Sequence, residues 1–205
     1  MSTASDAPPA PSRADRRREE ILDAAARVFA QKGYHEAGIA DIAGALGIGH
    51  GTVYRYFKNK DDIAAGVTGR AVGRLARALL GESPTASTTL EEYRAQVERL
   101  IGRLFDALND HPDELRFFHR HLLAVDPEAL ERAIDAGAAG LELYLTNGVT
   151  KGFLRPDLDT RLTAQALVAV LLDLIRRAIA TSPTPAQRRR WTAAAIALMF
   201  TGIQR

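Results

Sequence analysis

Between His50 and Lys60 the chain sets out an imidazole, a threonine hydroxyl, two phenols, a guanidinium and two ammonium groups: His50, Thr52, Tyr54, Arg55, Tyr56, Lys58 and Lys60. No carboxylate interrupts them. The set offers neither a nucleophile paired with a base nor a cluster of metal ligands. It suits an anionic polymer, because hydroxyl, phenol and cationic tips hold phosphate oxygens and fix register on a nucleic-acid backbone. Two short helices are needed to position it. In Ile39-Ala40-Asp41-Ile42-Ala43-Gly44-Ala45-Leu46, residues Ile39, Ile42, Ala43 and Leu46 fall at helical spacing and share one inward face. Gly47-Ile48-Gly49 breaks that helix, with Gly47 free to take positive φ and Ile48 plugging the core from the turn. A second helix over His50–Phe57 turns Val53 and Phe57 inward and leaves His50, Gly51, Thr52, Tyr54, Arg55 and Tyr56 outside. A helix–glycine turn–helix with an exposed, polar-aromatic second helix is the design that places side chains in a DNA groove.

Other residues invite chemistry and do not assemble it. His119 and His121 are two apart, so on one helix they point about 200° apart, and no HExxH accompanies them or His111. Gly47-x-Gly49-x-Gly51 has the look of a phosphate loop, yet no strand precedes it. Asp173 lies in an apolar stretch, where it pairs with Arg176 or Arg177 one turn on, or else orients a ligand or faces a second subunit. Arg16-Arg17-Arg18 is either a solvated face or an arm for the minor groove. Arg188-Arg189-Arg190 opens the last helix and reads as a solvated patch or the rim of a subunit contact. No cofactor and no enzymatic activity is expected.

The elements that carry these residues are helices throughout. Residues 1–12 read as a disordered tail. Helices are expected over about 13–32, 39–46, 50–57, 60–80, 90–108, 127–150, 160–180 and 186–203, with a shorter one that starts at His111-Pro112 and carries Leu115, Phe118 and Leu122; the fourth runs through Val67, Val72 and Leu75. Asn59 caps the fourth helix, a Thr89–Glu92 capping box opens the fifth, and Asp159 caps the eighth. No alternating strand pattern occurs, so the fold class is all-α. The eighth helix is apolar on more than one side, through Leu167, Val168, Val170, Leu171, Leu172, Leu174 and Ile175; the ninth adds Trp191, Ala195, Leu198, Met199 and Phe200. A helix apolar on two sides is buried on both, which predicts a symmetric four-helix homodimer contact through Leu171, Ile175, Trp191, Ala195, Leu198 and Met199. Phe105, Phe117, Phe118, Leu122, Tyr144 and Leu145 suit a ligand cavity and suit a filled core equally. Phe105, Phe118, His121, Leu122, Tyr144 and Asp173 are the candidate ligand contacts.

Composition bounds the rest. The 205 residues carry 46% hydrophobic and 25% charged side chains, ordinary for a globular chain that builds a core without staples. The absence of Cys excludes disulfides, thiolate nucleophiles and thiolate metal sites, and fits a cytoplasmic location. The net charge of +2 is too small to argue for a nucleic-acid partner by itself. The longest strongly apolar run, Ala166–Leu172, is far too short to span a bilayer, so no membrane partner is expected.

The ordered set Phe29-x3-Gly33-Tyr34, Asp41-Ile42-Ala43, Leu46-Gly47-Ile48 and Gly51-Thr52-Val53-Tyr54-x-Tyr56-Phe57-x-Asn59-Lys60 resembles the TetR family of transcriptional regulators. The resemblance implies an N-terminal three-helix DNA-binding domain over residues 13–58. It also implies a larger helical domain over residues 59–205 that binds a small molecule and dimerises through its last two helices. By position, Thr52 and Tyr54 are similar to the family's phosphate and base-neighbour contacts, His50, Gly51 and Arg55 to its sequence-reading positions, and Tyr56 and Lys60 to further phosphate contacts. The family often has Thr at the start of its second helix and a polar residue two positions on; Gly38 and Ala40 stand there instead. The implied function is a ligand-responsive repressor on a pseudo-palindromic double-stranded operator, released by a small apolar or amphipathic effector. An activator of the same fold and a helical interaction module without DNA binding are the alternatives.

Overall fold

The computed structural model describes residues 12–203 except 126 and 182, without the side chains at 108, 109, 121–125, 127, 129, 130, 133, 175, 179, 195, 198, 199 and 201–203. The expected tail therefore lies outside the described residues, apart from Ser12. The described chain forms α1 (Arg13–Lys32), α2 (Ile39–Leu46), α3 (His50–Tyr54), α4 (Lys60–Leu80), α5 (Leu90–Asp110), α6 (Pro112–Val125), α7 (Pro127–Thr150), α8 (Thr160–Thr181) and α9 (Pro185–Ile203). It divides into two compact units, one ending at Thr68 and the other beginning at Gly69, so the division falls inside α4.

In the first unit the helix ends are fixed locally. The Ser12 hydroxyl accepts the Asp15 N–H at 3.1 Å while the Asp15 carboxylate accepts the Ser12 N–H at 2.9 Å, a reciprocal cap that opens α1. At α2 the cap residue Gly38 has no side chain, and Asp41 supplies the remaining half by accepting the Gly38 N–H at 2.9 Å. Gly47 ends α2 at φ 64°, in the left-handed region, and the Ile48 N–H reaches back to the Ala43 carbonyl at 3.0 Å. Ile21, Phe29, Ile42, Val53, Phe57, Ile63 and Val67 are completely buried. Each is worth about 1.5–3 kcal/mol of transfer from water. Of the α2 residues expected inward, Ile42 and Ala43 are buried and Ile39 and Leu46 only half-buried.

The third helix is shorter than the expected His50–Phe57. The Val53 carbonyl accepts both the Tyr56 N–H at 3.0 Å and the Phe57 N–H at 3.1 Å, which tightens the last turn and ends the helical ladder at Tyr54.

In the second unit α7 packs along α8, α5 along α9, and α6 against α7 and α8. Thr89 and Glu92 form the expected reciprocal cap of α5, and the Asp159 carboxylate caps α8 at the Leu162 N–H, 2.8 Å. The core centres on Tyr93, Leu100, Leu104, Leu145, Leu154 and Phe200. Glu114 on α6 is buried between Arg70 and Arg74 of α4, accepting from the Arg74 Nε at 2.9 Å and pairing with the Arg70 guanidinium. Val72 is exposed: Ala71, Leu75, Ala78 and Leu79 hold the inward stripe of α4, and Val72 stands about 100° round from Ala71.

Candidate functional site

The outer surface of α3 is built by what anchors it. Val53 and Phe57 are buried, and the Arg18 guanidinium lies 4.2 Å over the Phe57 ring while its NH1 donates to the Tyr56 carbonyl at 2.8 Å. Arg18 thus holds the end of α3 from α1. Its neighbour Arg17 pairs with Glu20 at 2.7 Å. Of the three arginines considered for a DNA arm, Arg18 is engaged within the unit.

With its core face pinned, α3 leaves His50, Gly51, Tyr54 and Arg55 exposed and Thr52 and Tyr56 half-buried. Tyr54 is the most open large apolar side chain among the unit's described residues, 56% exposed, which leaves its ring accessible to a partner. The Arg55 guanidinium lies 5.8 Å from the Tyr56 ring, which restrains both tips on one side. The nearby carboxylates are occupied elsewhere. Asp41 pairs with Lys32 at 2.6 Å, and that contact, with the Gly38 N–H, holds its carboxyl below the ordinary value. Asp62 accepts the Lys58 N–H at 2.9 Å, and Asp61 accepts from the Tyr34 phenol. Burial and that carboxylate push the Tyr34 hydroxyl up to about 12, so it remains a donor at any working pH.

Lys60 is half-buried, and its ammonium donates to the carbonyls of Tyr34 at 2.8 Å, Ala37 at 3.0 Å and His35 at 3.3 Å, 4.5 Å from the Tyr34 ring. It closes the connection between α1 and α2. Asn59, as expected, caps α4 at the Asp62 N–H, 2.8 Å. Arg18, Tyr34 and Asp61 are the supporting residues that sequence reasoning missed. The Gly33-Tyr34 pair was visible as a motif, but the acceptors of Arg18 and Lys60 are backbone carbonyls, which carry no residue signature.

The candidate ligand contacts separate in the second unit. Phe105 and Tyr144 line a slot of about 80 Å³ between α5, α7 and α8, walled otherwise by aliphatic side chains such as Leu141, Leu145, Leu167 and Leu174. Phe118 lines a different cleft of about 180 Å³, with Val72, Leu75, Leu80 and Gly140. The Tyr144 hydroxyl is already used, donating to the carbonyls of Leu79 at 2.9 Å and Glu82 at 2.8 Å. Asp173 lines neither space; its carboxylate accepts from Arg176 at 2.6 Å and Arg177 at 2.6 Å on an exposed edge, which holds it below the ordinary carboxylate value, Arg177 first. The side chains of His121 and Leu122 lie outside the described ones.

Of the residues expected at a subunit contact, Leu171 lines the slot and Trp191 packs on Phe105 with ring centroids 6.3 Å apart, both half-buried against this chain's own core. The side chains of Ile175, Ala195, Leu198 and Met199 lie outside the described ones. Among the described residues no group of three or more His, Cys, Asp or Glu could hold a metal ion, and no helix is long and apolar enough to cross a membrane.

Known proteins resemble this chain in sequence and in fold. The family model described as bacterial regulatory proteins, tetR family, matches residues 21–67. The HTH-type transcriptional repressor KstR2 of Mycolicibacterium smegmatis is 39% identical over 169 residues, 76% of this chain and 76% of that protein. The fatty acid metabolism regulator protein of Bacillus subtilis is 29% identical over 158 residues, covering 74% of this chain and 78% of its own. The solved structure of the transcriptional regulator FadR from Bacillus subtilis in complex with stearoyl-CoA matches in fold with a TM-score of 0.72 at 24% identity, over 91% of this chain and 99% of that one.

Proposed function

This chain belongs to the TetR family of bacterial regulatory proteins and is a DNA-binding transcriptional regulator; we propose that it acts in the cytoplasm as a repressor that binds a pseudo-palindromic operator as a homodimer and leaves it when a small apolar or amphipathic molecule binds the second unit. The observation that carries the reading is the exposed, acid-free face of α3, pinned from behind by Val53, Phe57 and Arg18. His50, Gly51 and Arg55 read base edges, and Thr52, Tyr54 and Tyr56 dock phosphate; Lys60, whose ammonium is tied to three carbonyls, joins them only by releasing one. A two-fold dimer through α8 and α9 presents two copies of α3 to successive major grooves, about 34–36 Å apart or a multiple of the helical turn.

An aliphatic slot with a single aromatic pair supports an apolar effector, as do relatives whose names refer to fatty acid metabolism and to stearoyl-CoA. Release requires the effector to prefer the state that does not bind DNA, and DNA then disfavours the effector by the same factor. α4 begins in one unit and ends in the other, and is the element through which that preference is transmitted.

Selection of bound DNA from random sequence, followed by mobility shift, tests the reading. Tyr54→Ala weakens binding to every sequence, whereas His50→Ala or Arg55→Ala changes which sequences are preferred. Unaltered binding in all three variants contradicts it, and light scattering that finds a monomer at micromolar concentration contradicts the dimer.

A further inference from the structure

We propose that a groove between α5 and α9 and the aliphatic slot behind it form one binding site for an anionic amphipath, with its tail in the slot, its charged head in the groove and Phe105 as the side chain that moves to join them. The inference deepens the effector-release reading and rests on it for its regulatory consequence. The groove holds about 690 Å³, within the ~300–1,000 Å³ common for ligand sites. The slot holds only about 80 Å³, well below that range, so it takes a tail only if a wall moves. Phe105 lines both spaces.

The two spaces differ in chemistry. Apart from Tyr144, whose hydroxyl is tied to carbonyls, the slot is wholly apolar and offers no anchor to a polar head. The groove carries Arg94, Arg188 and Arg189 against Glu98 and Asp106. Arg94 stacks 4.9 Å from the Phe200 ring and Phe105 packs on Trp191, so α5 and α9 run antiparallel, and Arg188, Arg189 and Asp106 share the end nearest Phe105. Arg188 and Arg189 form no ion pair among the described residues, and the first turn of α9 adds its partial positive charge. That end of the groove is where a negative head is favoured, directly outside the aromatic wall of the slot. Arg189, Ala193 and Ile196 stand about 140–160° round α9 from Trp191 and Arg188 about 60°, so a second copy seated on the Trp191 side leaves the Arg189 side of the groove open.

Trp191 is the only tryptophan in the chain and touches Phe105, which makes its fluorescence the readout. The full-length protein is titrated with lauroyl-CoA, laurate and dodecanol below their micellar concentrations. All three share the tail, and only the first two are anionic. The variant Arg188→Glu/Arg189→Glu, on exposed or half-exposed positions that keep the fold, is expected to weaken lauroyl-CoA binding at least about tenfold, the loss of one charge-assisted contact. Dodecanol binding stays within about twofold. A parallel loss for laurate identifies a carboxylate as sufficient, and a loss confined to lauroyl-CoA identifies the phosphates. Phe105→Ala, checked for fold by circular dichroism, is expected to shift preference toward longer tails. Equal weakening of all three probes, unchanged lauroyl-CoA binding, or no response of Trp191 to any probe overturns the site. An operator mobility shift run alongside separates the two claims: arginine-dependent lauroyl-CoA binding that leaves the DNA complex intact upholds the site and rejects effector release.

Discussion

The first unit spends its apolar residues on a closed core, whereas the second keeps some of them around open space. Ile21, Phe29, Ile42, Val53, Phe57, Ile63 and Val67 are all fully buried, and the outward side chains of α3 are polar or aromatic-polar. The second unit leaves Leu80, Leu143, Leu162 and Val170 exposed and surrounds a groove of about 690 Å³, a cleft of about 180 Å³ and a slot of about 80 Å³. A DNA reader must hold five or six tips rigidly, which needs a filled core. An effector site needs volume that the protein has not filled. The contrast predicts that packing substitutions cost much in the first unit and little around the cavities of the second.

The strongest test is a pair of truncations. Phe57→Ala removes a buried ring and the surface on which Arg18 stacks, and is expected to cost about 3–5 kcal/mol in urea unfolding. Val170→Ala, at a position 41% exposed on the slot wall, is expected to cost about 0.5 kcal/mol. Similar costs for the two would break the comparison.

Lys60 sharpens it next. If its main work is to tie the Tyr34, His35 and Ala37 carbonyls, Lys60→Met lowers stability by about 1.5–3 kcal/mol, as for other hydrogen bonds to a charged group. If its main work is phosphate docking, stability holds and only DNA affinity falls, uniformly across sequences. Urea unfolding and mobility shift on the same sample separate the two.

Lys60 also marks where the sequence stops being legible. The caps at Asn59, Thr89–Glu92 and Asp159 were readable because donor and acceptor lie within four residues and both are side-chain or helix-end groups. The Arg18–Tyr56 and Lys60–Tyr34 ties span 38 and 26 residues and end on backbone carbonyls, so no pairing of residue types announces them. Nor does a pattern of Phe105, Phe118 and Tyr144 distinguish a cavity wall from a filled core, and the structure assigns them to separate spaces. The apolar excess of α8 was visible; how much of it faces this chain's own slot was not.

Two glycines of α7 test the second unit's packing from within. A Cβ at Gly148 would stand 2.7 Å from Leu154 Cδ1 and 2.9 Å from the Tyr93 hydroxyl, so Gly148→Ala is expected to destabilise by about 1–3 kcal/mol. At Gly140 the nearest atom is Leu80 Cδ2 at 3.6 Å, an ordinary contact on the edge of the open cleft. Gly140→Ala should therefore stabilise by about 0.5–1 kcal/mol through helix propensity. Destabilisation at both positions would show that the cleft is as tightly constrained as the core.

The smallest effect concerns the turn between α4 and α5, the part of the second unit that is held as firmly as the first. The Glu82 carboxylate accepts from Arg99 at 2.9 and 2.8 Å and from Arg103 at 2.5 Å, while its carbonyl accepts the Tyr144 hydroxyl. The bonds from Arg99, then Arg103, hold its carboxyl well below the ordinary 4.5, at about 2. Because the folded value is the lower one, the unfolded chain takes up the proton first as pH falls. The stabilisation is therefore complete above about pH 4.5 and is lost progressively toward pH 2. Thermal melts of the wild type and Glu82→Gln should differ most at neutral pH and converge on acidification below pH 4.5. Arg99 is largely solvent-exposed, so added salt should shrink the neutral-pH gap as well. Melts that stay parallel from pH 7 to pH 3 would mean that the turn gains nothing from the Glu82 charge, and that the firm and open parts of the second unit differ in packing alone.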